Sequence, residues 1–226
     1  MMIPEPALPV GSPESSLHSG KRFRMQAKAL ENAIQKNPRD FWAWSNLGGL
    51  YFNEGFIQRS IEYFKKAIDI DPEDALVHLR LGIALYRMAQ MDQAIEVLKK
   101  SVALDPNLAM AHYYLGFVYW HTGSSKDSER HFKKTLKFSP ESYIAYYYLA
   151  VDYLSERRYQ RAIAMLKKLL LANPNAAPAW HKMGLALFAL HKNAEAAHAF
   201  REALKHNPED QQAQSMLEMI TNVPEV

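Results

Sequence analysis

The sequence predicts an all-α solenoid, in which pairs of short helices stack one behind another along the chain. The first observation is a small residue that recurs every 34 residues, at Gly48, Gly82, Gly116, Ala150 and Gly184. The second is a proline with the same spacing, at Pro72, Pro106, Pro140, Pro174 and Pro208. Self-similarity at a period of roughly 20 to 50 residues is typical of stacked supersecondary units.

Each repeat is predicted to form two amphipathic helices of roughly 12 to 14 residues, because apolar side chains recur at intervals of three and four. The proline cannot continue the second helix, and a polar residue two positions later can cap the next one. These caps are Asp40, Asp74, Ser142 and Asp210. Glycine in a helix costs about 1 kcal/mol relative to alanine, so its recurrence predicts close contact between the two helices of a pair.

Five complete repeats are predicted, at residues 41–74, 75–108, 109–142, 143–176 and 177–210. Before them, residues 1–18 are rich in proline and serine and are predicted to form a disordered tail. Residues 19–37 are predicted to form a single helix whose apolar side carries Phe23, Leu30, Ala33 and Ile34. Residues 211–222 are predicted to form a capping helix that turns Met216, Leu217 and Ile220 inward.

These residues resemble the tetratricopeptide repeat family. In the first repeat the matching positions are Trp44, Leu47, Gly48, Tyr51, Ser60, Phe64, Ala67 and Pro72, and in the fifth they are Trp180, Met183, Gly184, Leu187, Ala196, Phe200, Ala203 and Pro208. The fourth repeat departs most from the pattern, with Ala150, Leu169 and Arg157 at positions where glycine or a small residue is expected. The resemblance implies a right-handed superhelix of helix-turn-helix repeats whose concave side is lined mainly by the first helix of each pair.

The concave side implied by this resemblance is rich in aromatic residues. In the stretch HYYLGFVYW, residues 112–120, we expect Tyr119 to pack in the core, while Tyr113, Tyr114, Phe117 and Trp120 face the groove. The predicted peptide-binding residues are Trp42, Asn46, Phe52, Leu79, Arg80, Tyr86, Arg87, Tyr113, Tyr114, Phe117, Trp120, Tyr147, Tyr148, His181, Lys182 and Phe188. An alternative stays open for Phe117, Val151 and Leu185, which a neighbouring first helix would cover.

The sequence therefore predicts a non-enzymatic scaffold that binds a protein or peptide with apolar, aromatic and some acidic residues. One alternative is that the N-terminal tail fills the groove, either of its own chain or of a second copy in a homo-oligomer. Another is RNA binding by a ladder of lysine pairs that recurs with the repeat from Lys65-Lys66 to Lys167-Lys168. Glutamates four residues before several of these lysines favour a solvated helix face instead.

Composition excludes several other functions. The chain has no cysteine, which removes disulfides and thiol catalysis, and its net charge of +3 is too small to predict a nucleic-acid partner. The sequence contains no phosphate-binding loop, nucleophile elbow or HExxH motif, so we predict no enzyme activity, no cofactor and no metal. No apolar stretch reaches the roughly 18 to 20 residues of a membrane helix, so we predict no membrane insertion and a cytoplasmic protein. His78 and His112 are expected to pack between helices, and Asp152 to pair with Arg157 or Arg158.

Overall fold

The computed structural model describes the backbone of residues 13–221 and the side chains of residues 20–221. All regular secondary structure in this part of the chain is helical, which confirms the predicted all-α helical-repeat class. The twelve helices are α1 Pro13–Lys36, α2 Phe41–Asn53, α3 Ile57–Ile70, α4 Ala75–Arg87, α5 Met91–Leu104, α6 Ala109–His121, α7 Ser125–Phe138, α8 Tyr143–Ser155, α9 Tyr159–Ala172, α10 Ala177–Ala189, α11 Asn193–His206 and α12 Gln211–Thr221.

The chain divides into two compact units. Unit 1, Met1–Leu104, contains α1 to α5, and unit 2, Asp105–Val226, contains α6 to α12. Each of the five 34-residue segments expected from the sequence contains one pair of antiparallel helices. None of the helices within residues 13–221 combines the length and the apolar character needed to cross a membrane.

The first helix begins earlier than the sequence suggested, at Pro13 instead of residue 19. Proline is favoured at the first position of a helix because its fixed φ suits the helix and its missing N–H leaves no helical hydrogen bond unmade. Pro13 therefore starts a helix, although the sequence interpretation took it as part of a tail. Residues 1–12 and residue 222 lie outside the described residues, so the predicted disorder of residues 1–12 stays a prediction.

Three of the four predicted caps are confirmed. Asp40 Oδ1 accepts a hydrogen bond from the Ala43 N–H at 3.0 Å, and Asp74 Oδ1 accepts one from the Val77 N–H at 2.7 Å. Asp210 caps α12 in the same way. The prediction is wrong for Ser142, whose side chain makes no capping hydrogen bond at the start of α8.

The predicted contact of paired helices at glycine is also confirmed. A Cβ placed on Gly48 would lie 2.6 Å from the ring of Phe64, and one on Gly184 would lie 2.6 Å from the ring of Phe200. These distances are shorter than carbon atoms tolerate, so the absence of a side chain allows each second helix to approach. The close approach offsets the helix propensity that glycine loses.

The turn inside every repeat has a left-handed residue, although only two of the five are glycine. The residues with positive φ are Gly55, Ala89, Gly123, Arg157 and His191. At each turn, the next N–H bonds back to a carbonyl five residues earlier, for example Arg158 N to Tyr153 O at 2.7 Å. This is the Schellman geometry that ends a helix, and it fixes the angle between the paired helices.

Each unit has its own core. In unit 1, α1 packs Ala27 against Leu47 and Tyr51, with Phe23, Leu30 and Ile34 around them, as predicted for the apolar side of the single helix. In unit 2, one continuous cluster runs from Phe132 on α7 to Ala213 on α12. Met216, Leu217 and Ile220 pack against that cluster, so the predicted inward face of the last helix is confirmed.

Candidate functional site

The aromatic residues assigned to the core are largely buried. Tyr51, Phe64, Tyr119, Phe132, Tyr153 and Phe200 are each at most 7% exposed, as predicted. The two tryptophans assigned to packing, Trp44 and Trp180, are half-buried. Their indole N–H groups donate to the carbonyls of Pro38 and Pro174, six residues earlier, at 3.0 and 2.7 Å. These rings therefore hold the loop that precedes their own helix.

The first helices of unit 2 present a layer of half-buried rings. We define the aromatic surface of unit 2 as Tyr113, Tyr114, Phe117 and Trp120 on α6 together with Tyr147 and Tyr148 on α8. Spacings of three and four residues place Tyr113, Phe117 and Trp120 on one face of α6. Because α8 lies beside α6, Tyr147 and Tyr148 continue the same layer.

The rings of this surface contact one another. Tyr148 meets Phe117 edge-on at 5.0 Å and Trp120 edge-on at 5.1 Å between ring centroids. Tyr113 stacks on Phe117 at 5.9 Å. From below, the core residue Phe132 stacks against Tyr148 at 5.5 Å with the ring planes only 8° apart. The layer is thus anchored on the core of unit 2, with each ring held by its neighbours.

The three residues that a neighbouring first helix was expected to cover in the alternative interpretation remain partly exposed. Phe117, Val151 and Leu185 are all half-buried, so burial separates the groove interpretation from the alternative at none of these three positions. Further along unit 2, Lys182 and Phe188 on α10 are half-buried as well. Burial of the Tyr147 phenol raises its pKa, which keeps that hydroxyl neutral.

His181 is the exception in unit 2, and its prediction as a groove residue needs correction. The ring is 7% exposed and lies against Phe200. His181 Nδ1 donates to Asp210 Oδ2 at 2.6 Å, which ties α10 to the cap of α12. Although burial favours the neutral acid, hydrogen bonds from the Ala213 N–H and His181 hold the pKa of Asp210 below its ordinary value. His181 is therefore buried against α11 and bonded to the cap of α12.

Unit 1 presents a different surface on its first helices. Trp42 is 68% exposed, Asn46, Arg80 and Arg87 are exposed, and Phe52 and Tyr86 are half-buried. Leu79 was predicted as a groove residue and is only 6% exposed, so that prediction needs correction too. Leu79 follows His78, which is also buried, and the core-facing stripe of α4 is wider than the repeat pattern implied.

A cavity of about 790 Å³ opens between α1, α2 and α4, and we call it the unit 1 pocket. Its wall includes Gln26, Leu30, Asn46, Phe52, Asn53 and Arg80. Gly49 also lines the pocket, and a Cβ on this residue would meet no atom of the described residues within 4 Å. The sequence interpretation missed the contribution of α1 to this pocket. The signal that could have revealed the hollow is Gly49 itself, because the other repeats carry Ile83, Phe117, Val151 and Leu185 at that position.

Two arginines lie on this side of unit 1. Arg80 Nη1 donates to Ser45 Oγ at 3.2 Å, and the guanidinium of Arg87 lies 4.9 Å from the centre of the Phe52 ring. Among the ion pairs formed by residues 20–221, none includes either arginine. The pocket rim therefore carries positive charge that no carboxylate of the described chain neutralises.

Buried polar groups elsewhere in unit 2 belong to the core. Asp152 is 4% exposed and accepts a hydrogen bond from Ser128 Oγ at 2.7 Å, and burial raises its pKa to about 6. The prediction that Asp152 pairs with an arginine is wrong, because Asp152 bonds to Ser128 and Arg158 bonds to Glu129 and Glu156. Ser128 was missed, since nothing in the local pattern links it to a residue 24 positions away.

The packing role expected for His112 is confirmed, and it involves a second histidine. His112 is fully buried, and its Nε2–H donates to the Pro106 carbonyl at 3.0 Å. Neutral His112 then accepts at Nδ1, where the Nδ1–H of His131 donates at 3.0 Å. Burial, together with the nearby His112, lowers the pKa of His131 to about 4. No group of three or more potential metal ligands occurs in the part of the chain that the structure describes.

The lysine ladder lies on exposed faces of the second helices. Lys133 Nζ pairs with Glu129 Oε1 at 2.6 Å, the predicted spacing of four residues, and Lys100 pairs with Glu73 at 3.5 Å. Part of the ladder is thus engaged with carboxylates of the same chain. This arrangement suits a solvated helix face.

Comparisons with known proteins agree with this architecture. Three models described as tetratricopeptide repeat match residues 55–115, residues 177–210, and residues 25–75 together with 118–179, so that one model alone matches half of the chain. Among solved structures, YrrB, a TPR protein with an unusual peptide-binding site, has 17% identity and a TM-score of 0.75 over 84% of this chain and 97% of its own.

MamA has 26% identity and a TM-score of 0.69 over 74% of this chain and 97% of its own. PilF of Pseudomonas aeruginosa has 18% identity and a TM-score of 0.70 over 81% of this chain and 85% of its own. No protein of curated function matches the sequence. These structural similarities show that the chain shares the fold of these proteins.

Proposed function

We propose, from the premise that the chain belongs to the tetratricopeptide repeat family, that it is a non-enzymatic scaffold that binds a segment of a partner protein on its first helices. The observation that carries the proposal is the aromatic surface of unit 2. Repeats of this kind generally form interaction modules, and the same fold in YrrB has a peptide-binding site.

The chemistry of the surface supports an apolar ligand. The six half-buried rings form one contiguous apolar surface. Contiguous apolar patches on a protein surface mark interaction sites, and aromatic side chains contribute a large contact area to them. The tyrosine hydroxyls tolerate water at the edge of a contact, which suits a ligand that also carries polar groups.

The rings are also held before a ligand arrives. Phe117, Trp120 and Tyr148 contact one another, and Phe132 supports Tyr148 from the core. Binding pays an entropy cost of roughly 0.5–1.5 kcal/mol for each flexible side chain that it immobilises, and this cost is smaller for rings that are already packed. An extended strand or an amphipathic helix with apolar and aromatic side chains is the ligand that this layer fits.

Charges on the first helices add a preference for acidic residues in the ligand. Lys182 supplies a cation on α10 of unit 2, and Arg80 and Arg87 supply cations on α4 of unit 1. The residues next to each of these three cations on its own helix are uncharged. A carboxylate of the bound segment that pairs with one of the cations would fix the position and direction of that segment.

The test uses peptides selected from a random library against the full chain. Their dissociation constants are measured by calorimetry for the wild type, Tyr113→Ala and Tyr147→Ala. Each substitution is expected to weaken binding by roughly 30-fold, the effect of losing about 2 kcal/mol at a central aromatic contact. Tyr143→Ala is the matched control, since Tyr143 is 50% exposed on α8 outside the aromatic surface.

The control should bind as the wild type does. Circular dichroism establishes that all four proteins are folded. Equal affinities for the wild type, Tyr113→Ala and Tyr147→Ala would overturn the proposal for this surface. Selection of peptides whose binding depends on Tyr143 alone would overturn it as well.

A further inference from the structure

An apolar cleft of about 630 Å³ lies in unit 2, lined by residues of α9, α10 and α11, and we call it the α9–α11 cleft. The two second helices, α9 and α11, both pack on α10. Buried apolar side chains form part of its lining, among them Ile163, Leu170 and Met183. No residue of the aromatic surface lines this cleft, so it is a separate site.

Leu171 lines the cleft and is the most exposed large apolar side chain among residues 20–221, at 84%. It follows Lys167 by one helical turn, so the two side chains lie on the same face of α9. The equivalent position in the other four repeats carries a charged or small residue. These residues are Asp69, Ala103, Lys137 and Lys205. The exposed leucine is therefore a departure of this one repeat from the others.

Ala194 lines the same cleft from α11 and is a second departure. The equivalent position in the other four repeats carries a longer polar or charged residue. These residues are Gln58, Asp92, Lys126 and Gln160. A longer polar side chain on α11 would place a polar group at the cleft, whereas alanine adds only a methyl group. Both departures thus make this part of unit 2 more apolar.

The two helices that line the cleft also carry opposite charges. Lys167 on α9 is exposed and forms no ion pair within residues 20–221. Glu195 on α11 pairs with Lys192 at 2.9 Å, and both side chains are exposed. An exposed pair of this kind contributes little to stability, so Glu195 can also accept a second cation.

These features make the site complementary to itself. It has an exposed leucine and an apolar cleft, and a cation on one helix and an anion on the other. An interface between two identical copies requires this property, because the same patch must serve both sides. Rotation by half a turn about an axis along the cleft places α9 of one copy opposite α11 of the other. The same rotation brings Lys167 of each copy toward Glu195 of the other.

We infer that the α9–α11 cleft is a self-association site, at which two copies of the chain pair about a two-fold axis, with Leu171 of each copy in the cleft of the other. Lys167 of each copy pairs with Glu195 of the other. Burying Leu171 removes a large apolar area from water, and the two charge pairs fix the orientation of the copies. The first helices of unit 2 stay available to a ligand in this pair, because the aromatic surface contributes nothing to the cleft.

Sedimentation equilibrium of the full chain tests the inference. One chain has a mass of 25.9 kDa, and the wild type is expected to approach twice this mass as its concentration rises to about 100 μM. Leu171→Asp should raise the dissociation constant of the pair at least about 100-fold, because the pair contains the leucine twice. Ala194→Gln should weaken the pair as well. Leu76→Asp is the matched control, since Leu76 is a 50% exposed leucine on α4 of unit 1, and it should associate as the wild type does.

A charge swap between chains tests the orientation. Lys167→Glu alone and Glu195→Lys alone should each weaken self-association about 10-fold or more, because like charges then face each other across the interface. An equimolar mixture of the two variants should regain the mass of a pair, since both contacts then join opposite charges. Circular dichroism establishes that every variant is folded, as expected for changes at exposed positions.

Several results would overturn the inference. A wild type that keeps the mass of one chain at every concentration would do so, and so would a mass that rises beyond two chains. A pair that Leu171→Asp leaves intact, or a mixture of the two charge variants that stays dissociated, would also overturn it. Library peptides that bind a wild type of single-chain mass and lose affinity with Leu171→Asp would show that the occupant is a foreign segment.

These outcomes are independent of the proposed peptide binding. Tyr113→Ala and Tyr147→Ala should leave the mass of the pair unchanged, and Leu171→Asp should leave the affinity for peptides on the aromatic surface unchanged. If peptide binding fails while the chains pair through Leu171, the proposed function is wrong and the inference stands. If peptides bind and the chain stays single, the inference alone is wrong.

Discussion

The first helices of unit 1 and unit 2 carry different residues at the same position of the repeat. In α2 this position is Gly49, and no atom of the described residues comes within 4 Å of the place where its Cβ would lie. In α6 it is Phe117, whose ring contacts Tyr113, Trp120 and Tyr148. One position thus produces a polar-rimmed hollow in unit 1 and a closed aromatic layer in unit 2. The comparison teaches that a repeat backbone sets where a surface forms, while a single side chain sets what that surface accepts.

The largest expected effect is the loss of the ring that supports the aromatic layer. Phe132→Ala should lower the free energy of unfolding of unit 2 by about 3–5 kcal/mol, since it deletes a fully buried ring in a close-packed core. It also removes the surface on which Tyr148 stacks. Urea unfolding followed by circular dichroism measures the stability, and near-ultraviolet dichroism measures the order of the tyrosines.

Phe64→Ala in unit 1 is the matched control, because Phe64 holds the equivalent position opposite Gly48. It should cost a similar free energy and leave the near-ultraviolet signal of the unit 2 rings unchanged. An equal loss of that signal in both variants would show that the layer does not depend on Phe132.

Two adjacent glycines differ in their surroundings: Gly48 is in close contact with Phe64, while Gly49 borders open space. Gly48→Ala should lower stability by about 1–3 kcal/mol, because its Cβ would lie 2.6 Å from the Phe64 ring. Gly49→Ala should raise stability by up to about 1 kcal/mol, since alanine favours the helix and its Cβ enters open space. Urea unfolding of both variants checks the sign. A destabilising Gly49→Ala would mean that the space around the position of its Cβ is not open.

Lowering the pH should change the stability of unit 2 through two buried groups, His131 and Asp152, in opposite directions. The pKa of His131 is lowered from 6.5 to about 4, so the unfolded chain binds more protons in this range and stability falls as the pH drops below 6.5. The pKa of Asp152 is raised from 3.8 to about 6, so the folded chain binds more protons and stability rises as the pH drops below 6. These two effects therefore oppose each other in the wild type.

Single substitutions remove one of these two opposing effects at a time. Between pH 7 and pH 4.5, Asp152→Asn should lose roughly 2 kcal/mol more stability than the wild type, since about 1.4 kcal/mol corresponds to one pKa unit. His131→Gln should shift the balance the other way by a similar amount. Urea midpoints at the two pH values measure both changes. Identical pH dependence in the three proteins would contradict the assignment of these groups as the buried titrating pair.

Sequence reasoning predicted the parts of this molecule that repeat. Helix pairs, contacts at Gly48 and Gly184, and the buried ring of Tyr119 follow from a 34-residue period. Residues that depart from the period were harder to place, because their burial and bonding depend on hydrogen-bond partners in other helices, which a sequence pattern does not identify. His181 bonds to Asp210 at the cap of α12, and Asp152 accepts a hydrogen bond from Ser128 on α7.

The candidate surfaces show the same limit. The aromatic layer of unit 2 was predicted because its residues are large and fall on one face of α6. The hollow of unit 1 was missed because it results from a side chain that is absent, Gly49, and from α1, which lies outside the complete repeats. Comparing the five residues at one repeat position is the reasoning that reveals such a gap.

The smallest expected effect concerns the turns. Arg157 in unit 2 adopts φ of 57°, the left-handed conformation that Gly55 supplies in unit 1 with φ of 83°. A residue with a side chain is destabilised by roughly 1–2 kcal/mol in this conformation. Replacing it with glycine removes that strain but also raises the conformational entropy of the unfolded chain, which offsets part of the gain in stability. Arg157→Gly should therefore raise the free energy of unfolding by about 0.5–1 kcal/mol, and Gly55→Ala should lower it by about as much. Urea midpoints that move together in the two variants would show that this turn does not carry the strain its backbone implies.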